Sequence, residues 1–127
     1  MVIKKNLNKK FGSYIRELRI KNGIGQRELA DKVGIAASYL NDIEKEKRTA
    51  PKQIVIKKLS TILKVNINYL NDLAGISKGN VAPDIGEYIE SNPGIVSLIR
   101  SIKENNLSES QIEKIESSLN KKNSKAL

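Results

Sequence analysis

Cysteine and histidine are absent from this chain of 127 residues. Their absence excludes thiolate and imidazole zinc sites, cysteine nucleophiles and histidine general acid–base pairs. Catalysis would have to rest on carboxylates, lysine, tyrosine or serine alone. The acidic residues Asp31, Asp42, Glu44 and Glu46 are scattered, and no glycine-rich phosphate loop accompanies them. We therefore expect no enzyme, no cofactor and no metal site. Long apolar runs are missing as well: the chain opens MVIKKNLNKK, and its later runs are of the "IVI" kind. That pattern excludes a transmembrane helix and a secretory signal, so a cytoplasmic protein with no membrane partner is expected.

What is present suits a folded, soluble chain. Charged residues make up 29% and hydrophobic residues 39%, too apolar a balance for a disordered polyelectrolyte. The length accommodates one domain, or a small domain with an accessory module. The formal net charge of +9 is unevenly spread, because residues 1–75 hold sixteen Lys and Arg against seven Asp and Glu, while residues 76–127 hold seven of each. A basic module beside a neutral one points to a polyanionic partner for the first alone. Lysine-rich surfaces also serve solubility, so charge by itself leaves both readings open.

Apolar spacing reads as helix and loop throughout. Phe11, Ile15 and Leu18 recur on one helical face between Lys9 and Lys21, and Asn22-Gly23 supplies a stop. A second helix spans about Gln26 to Val33 and ends at Gly34, where a positive φ suits glycine; a third spans about Ala37 to Glu44, with Leu40 and Ile43 inward. Pro51 fits the first position of a fourth helix cored by Val55, Leu59, Ile62 and Leu63, and Asn66 caps a short fifth one carrying Ile67, Leu70 and Leu73. The segment AGISKGNVAPD, residues 74–84, has the composition of a linker. Beyond a turn or two of helix at Asp84–Glu90, Asn92-Pro93 reads as a cap and first turn for a helix to about Asn105. Ser108 to Gln111 has the pattern of a capping box opening a last helix, and residues 120–127 read as frayed. The last two helices form an expected antiparallel hairpin whose apolar face needs a partner surface.

The sharpest signal is QRELADKVGIAASYLNDIEK, Gln26 to Lys45. Leu29, Ala30, Val33, Gly34, Leu40 and Ile43 have the spacing of two short helices crossing about a tight turn. With its flanks "RTAP" and "LKVNINYL", the span from about residue 9 to 73 resembles the Cro/C1-type, or Xre-like, helix-turn-helix regulators. The resemblance implies an all-α chain: a five-helix lambda-repressor-like DNA-binding domain over residues 1–75, a linker over 76–83, and a C-terminal helical hairpin module over 84–127. Departures from the family pattern are Gly25 and Ala36, where Ser or Thr caps are common, and Lys45-Glu46 in place of Asn-Gly. An alanine at a cap typically costs about 0.5–2 kcal/mol and a glycine a few tenths. Without the glycine after helix three, the helix is expected to run on or to end in a strained residue, with Glu46 an unfavourable charge near phosphates, offset by Lys45, Lys47 and Arg48.

The resemblance further implies that the third helix enters the major groove. Carried over position by position, Ala37, Ser38, Asn41 and Asp42 face bases, with Ala36 at the edge; Gln26, Arg27, Tyr39, Lys45, Lys47 and Arg48 face phosphates, Tyr39 fitting a purely structural role equally well. Arg19 and Glu44 match an ion pair tying helix one to helix three. Asn41 can pair bidentately with adenine, Asp42 can accept from cytosine N4, and the alanine methyls can touch thymine methyls. No Arg in that set reads guanine, so an AT-leaning operator, positioned through phosphates and DNA shape, is expected. One domain makes few base contacts, which favours a homodimer on a pseudo-palindromic double-stranded operator. Ile95, Leu98, Ile99, Ile102, Ile112, Ile115 and Leu119 are the candidate dimer residues. The function expected is a dimeric repressor of bacterial, phage or mobile-element genes. The alternative is the antitoxin of a toxin–antitoxin pair, whose C-terminal segment neutralises a protein partner; an antagonist protein would fit the same surface.

Overall fold

The computed structural model of the chain describes residues 6–126, with side chains through Lys121. Among the described residues there are eight helices and no strand: α1 (Phe11–Lys21), α2 (Gln26–Val33), α3 (Ala37–Glu44), α4 (Gln53–Leu63), α5 (Ile67–Ser77), α6 (Pro83–Ser91), α7 (Gly94–Glu104) and α8 (Glu109–Ala126). They fall into two compact units, the first closing at Gly86 and the second opening at Glu87.

The first unit is built on the apolar faces legible in its sequence. Phe11 and Ile15 of α1, Leu29 and Ala30 of α2, Leu40 and Ile43 of α3, Leu59 and Leu63 of α4, and Leu70 and Leu73 of α5 are buried in one cluster. Each large apolar side chain so buried contributes about 1.5–3 kcal/mol. The closest helix pairs are α1 with α3 and α5, α2 with α3 and α4, and α4 with α5. Tyr14 of α1 and Tyr69 of α5 meet edge to face, their ring centroids 5.4 Å apart. Burial pushes the Tyr14 phenol above its ordinary value.

Six helices end in the same way. A residue at the C-cap (Gly34, Lys64) or just after it (Gly23, Glu46, Gly79, Asn106) takes a positive φ, and the following N–H bonds back across the last turn, as in Ile24 N to Arg19 O (3.0 Å), Ile35 N to Ala30 O (3.0 Å) and Lys47 N to Asp42 O (2.8 Å). The pattern repeats at Val65, Asn80 and Leu107. Gly23, Gly34 and Gly79 hold the left-handed position without strain, and Asn106 (φ 49°) tolerates it. Glu46 (φ 62°) and Lys64 (φ 57°) occupy it against the steric preference of L residues, at about 1–2 kcal/mol each.

Several boundaries differ from the sequence expectation. Residues 76–83 are not a linker throughout: Ile76 and Ser77 complete α5, Pro83 opens α6, and Ala82 between them is buried. The cause is Gly75, over which the chain folds back so closely that an added Cβ would lie 2.8 Å from the Val81 carbonyl carbon. Pro51 is not the first residue of α4; it precedes the N-cap Lys52 and is buried. Asn92 does not cap α7. Its backbone and side-chain N–H groups both donate to the Tyr88 carbonyl of α6, and Pro93 takes the cap position. Residues 120–126 continue α8, since no Gly or Pro interrupts them.

In the second unit the capping box is formed: Ser108 N donates to Gln111 Oε1 (2.8 Å) and Gln111 N to Ser108 Oγ (3.2 Å). The turn at Asn106 joins α7 and α8, but the two do not close on each other as the pairs of the first unit do. None of the side chains described in α7 is buried. Ile95 and Ile102 are half-buried, whereas Leu98, Ile99, Ile112, Ile115 and Leu119 are exposed, Leu119 at 61%.

Candidate nucleic-acid interface

α2 and α3 are held by what faces inward. Ala30 and Leu40 are fully buried at the crossing, and Gly34 (φ 77°) turns the chain between the helices. Neither helix has a side-chain cap, because Gly25 and Ala36 occupy the N-cap positions. Their first-turn amides are therefore left to solvent or to an anion.

A polar chain fixes the outer side of this pair. Arg19 of α1 grips Glu44 of α3 with two bonds, Nε to Oε2 at 2.8 Å and an η nitrogen to Oε1 at 2.9 Å, and donates a third to the Ile24 carbonyl at 3.0 Å. The Glu44 bond holds the Arg19 guanidinium above its ordinary pKa. This is the ion pair expected from the sequence. Gln26 Nε2 then forks between Glu44 Oε1 and Asn41 Oδ1, each at 3.3 Å. Gln26, expected at a phosphate, is thus linked to α3, and the Asn41 amide has its oxygen turned toward α2.

The remaining expected contact residues lie as follows. Ser38 and Asp42, one turn apart, share a face of α3, as do Ala37 and Asn41; Ser38 is exposed, and Ala37, Asn41 and Asp42 are half-buried. Ala36 is exposed at the N-cap, while Ala37 packs partly on the core. Arg27, Lys45, Lys47 and Arg48 are exposed. The Arg48 guanidinium lies 5.9 Å from the centre of the half-buried Tyr39 ring, a cation–π contact joining the loop after α3 to that helix.

Glu46 departs from expectation. α3 ends at Glu44, and the Glu46 backbone adopts the left-handed position that glycine would take. Its carboxylate reaches α1, where Oε1 accepts from Ser13 N at 2.7 Å and from Ser13 Oγ at 3.1 Å. The carboxylate is thereby seated at a helix N-terminus, where negative charge is favourable to the fold. No local sequence signal shows this, since the two residues are 33 apart and meet only because α1 packs on α3.

With this geometry in place, comparison with known proteins gives a consistent result. Residues 15–70 match the family model described as helix-turn-helix, of the Cro/C1 type. The chain is 38% identical over 61 residues, 48% of its length, to the HTH-type transcriptional regulator SinR of Bacillus subtilis, and covers 55% of that relative. It spans about half the length of the curated relatives it matches. Among solved structures it is similar to that of SinR, the master regulator for biofilm formation, in complex with DNA: 37% identity, 47% of this chain, 95% of that chain and a TM-score of 0.44. A SinR/SinI protein complex is similar at 26% identity over 90% of this chain and 98% of that chain, with a TM-score of 0.48. Residues 15–70, a little under half of the chain, thus match the helix-turn-helix family, and over them the chain is similar to Cro/C1-type regulators.

Proposed function

We propose that the chain is a sequence-specific DNA-binding transcriptional regulator, a repressor acting as a homodimer on a pseudo-palindromic operator. The observation that carries this reading is α3. Anchored inward by Leu40 and Ile43, it leaves Ser38, Asn41 and Asp42 accessible beside Lys45, Lys47 and Arg48, in the half of the chain that holds its whole net charge. Bases are read by the first group and phosphates by Gln26, Arg27, Tyr39 and the loop cations. Four cations per copy, eight in a dimer, correspond to a slope of roughly −7 in log affinity against log salt. The apolar residues Ile95, Leu98, Ile99, Ile102, Ile112, Ile115 and Leu119 suit a second copy, which would set two half-sites about one helical turn, roughly 34 Å, apart.

The test is enrichment of genomic fragments by the purified chain, followed by sequencing and by sedimentation of the full chain and of a chain ending at Gly86. An AT-leaning inverted repeat and a dimer that becomes monomeric on truncation are expected. Recovery of no common sequence would sink the operator reading, and an unchanged dimer would move the self-contact into the first unit. A small protein co-purifying stoichiometrically through α7 and α8, without dimers of this chain, would instead favour the antitoxin.

A further inference from the structure

The loop after α3 carries three of the cations assigned to phosphates, and between Lys45 and Lys47 it carries an acid. A carboxylate there should weaken DNA binding by repulsion and should strain the backbone, since it occupies a left-handed position at φ 62°. The structure shows what it gains. The first turn of α1 contains no acidic residue, and its N-cap, Lys10, provides no side-chain bond. Glu46 supplies that cap from 33 residues away, accepting from both the amide and the hydroxyl of Ser13. The approach is close by construction: a Cβ on Gly12 would collide with the Ile43 carbonyl, and it would lie 2.8 Å from Glu46 Oε1. At the loop's other end Arg48 stacks over Tyr39. Lys64 occupies the same kind of helix-ending position with an exposed side chain and no such tether, so the tether is specific to this loop.

We propose that Glu46 is a positioning residue for DNA binding: its carboxylate, seated on the N-terminal turn of α1, fixes the loop so that Lys45, Lys47 and Arg48 meet phosphates as a set. The proposal rests on the reading of this loop as a phosphate-contacting segment. Two effects oppose each other at this residue. Its charge acts against binding, while its tether spares the cations the conformational freedom they would otherwise lose on binding. Substitutions separate the two, because glutamine removes the charge while keeping an acceptor oxygen at the same reach, and glycine removes the tether while relieving the backbone.

The experiment is fluorescence anisotropy of the full chain on a mixed-sequence duplex of about 30 base pairs, between about 50 and 200 mM salt. Circular dichroism melts confirm that each variant is folded. Glu46→Gly is expected to weaken binding about tenfold and to make the salt slope shallower by about one, despite losing a negative charge. Glu46→Gln should stay within about threefold of the parent, and Ser13→Ala, which keeps the backbone amide, should fall between. Glu46→Gly binding as tightly as the parent with an unchanged slope overturns the proposal, as does tighter binding by both Glu46 variants, which would make the residue a charge alone. Lys47→Ala distinguishes the underlying reading: if it leaves affinity and slope unchanged, the loop does not meet phosphates. If it lowers both while Glu46→Gly does not, only the positioning role fails.

Discussion

Replacing Arg19 by methionine is expected to damage the first unit out of proportion to the loss of one ion pair. The Glu44 side chain is 2% exposed and that of Arg19 13% exposed, so both charges were taken out of water to form the pair. Without the guanidinium, the Glu44 carboxylate keeps only the long 3.3 Å bond from Gln26, and the Ile24 carbonyl loses its donor. Breaking a buried pair from one side costs about 3–5 kcal/mol, because the remaining charge stays buried and uncompensated. For a domain of this size each kcal/mol moves the midpoint by about 4–8 °C, so a fall of about 12–40 °C is expected in a thermal melt followed by circular dichroism. The double variant Arg19→Met/Glu44→Leu removes both charges and should recover most of the loss. The linkage has a definite sign. Since Glu44 raises the Arg19 pKa, the arginine's contribution is fully present below its ordinary value and is lost only as pH rises through the raised one. Lowering the pH toward neutrality therefore cannot imitate the substitution through Arg19. A cost below about 1 kcal/mol for Arg19→Met, the range of exposed pairs, would refute the reasoning.

Lys64→Gly should stabilise the first unit by about 0.5–1 kcal/mol, the left-handed strain relieved less the extra chain entropy of glycine; a lower melting midpoint would show that the lysine is not strained there. Asn41→Ala is expected to cost about 1–3 kcal/mol on the selected operator and little on random DNA. Equal losses on both, measured by anisotropy, would take Asn41 off the bases.

The helix-turn-helix was legible because its signals are local. Gln26–Val33 and Ala37–Glu44 coincide with the helices observed, since period, turn glycine and apolar spacing all act within a few residues. Boundaries failed where a local signal met a stronger contact. Asn92 has the side chain of a cap but bonds back to Tyr88, and Ile76 and Ser77 sit in linker-like sequence yet finish α5 because the chain packs back over Gly75. The residues expected at DNA divide along the same line: the helix that carries Ala37, Ser38, Asn41 and Asp42 could be read in advance, but the engagement of Gln26 with Asn41 and Glu44 could not.

The sequence by itself determined the all-helical architecture, the basic first half, a third helix without arginine and the exclusion of cysteine and histidine chemistry. These follow from composition and from periodicities of two to four residues. Only the tertiary structure decided where the Glu46 carboxylate goes, for the sequence offered an acid where glycine is usual and a serine 33 residues earlier with no rule connecting them. Packing of α1 on α3, close enough to exclude a Cβ at Gly12, brings the two within hydrogen-bond reach. The apparent defect in the loop becomes the cap of another helix because side chains distant in sequence acquire a partner only when the core sets their distance.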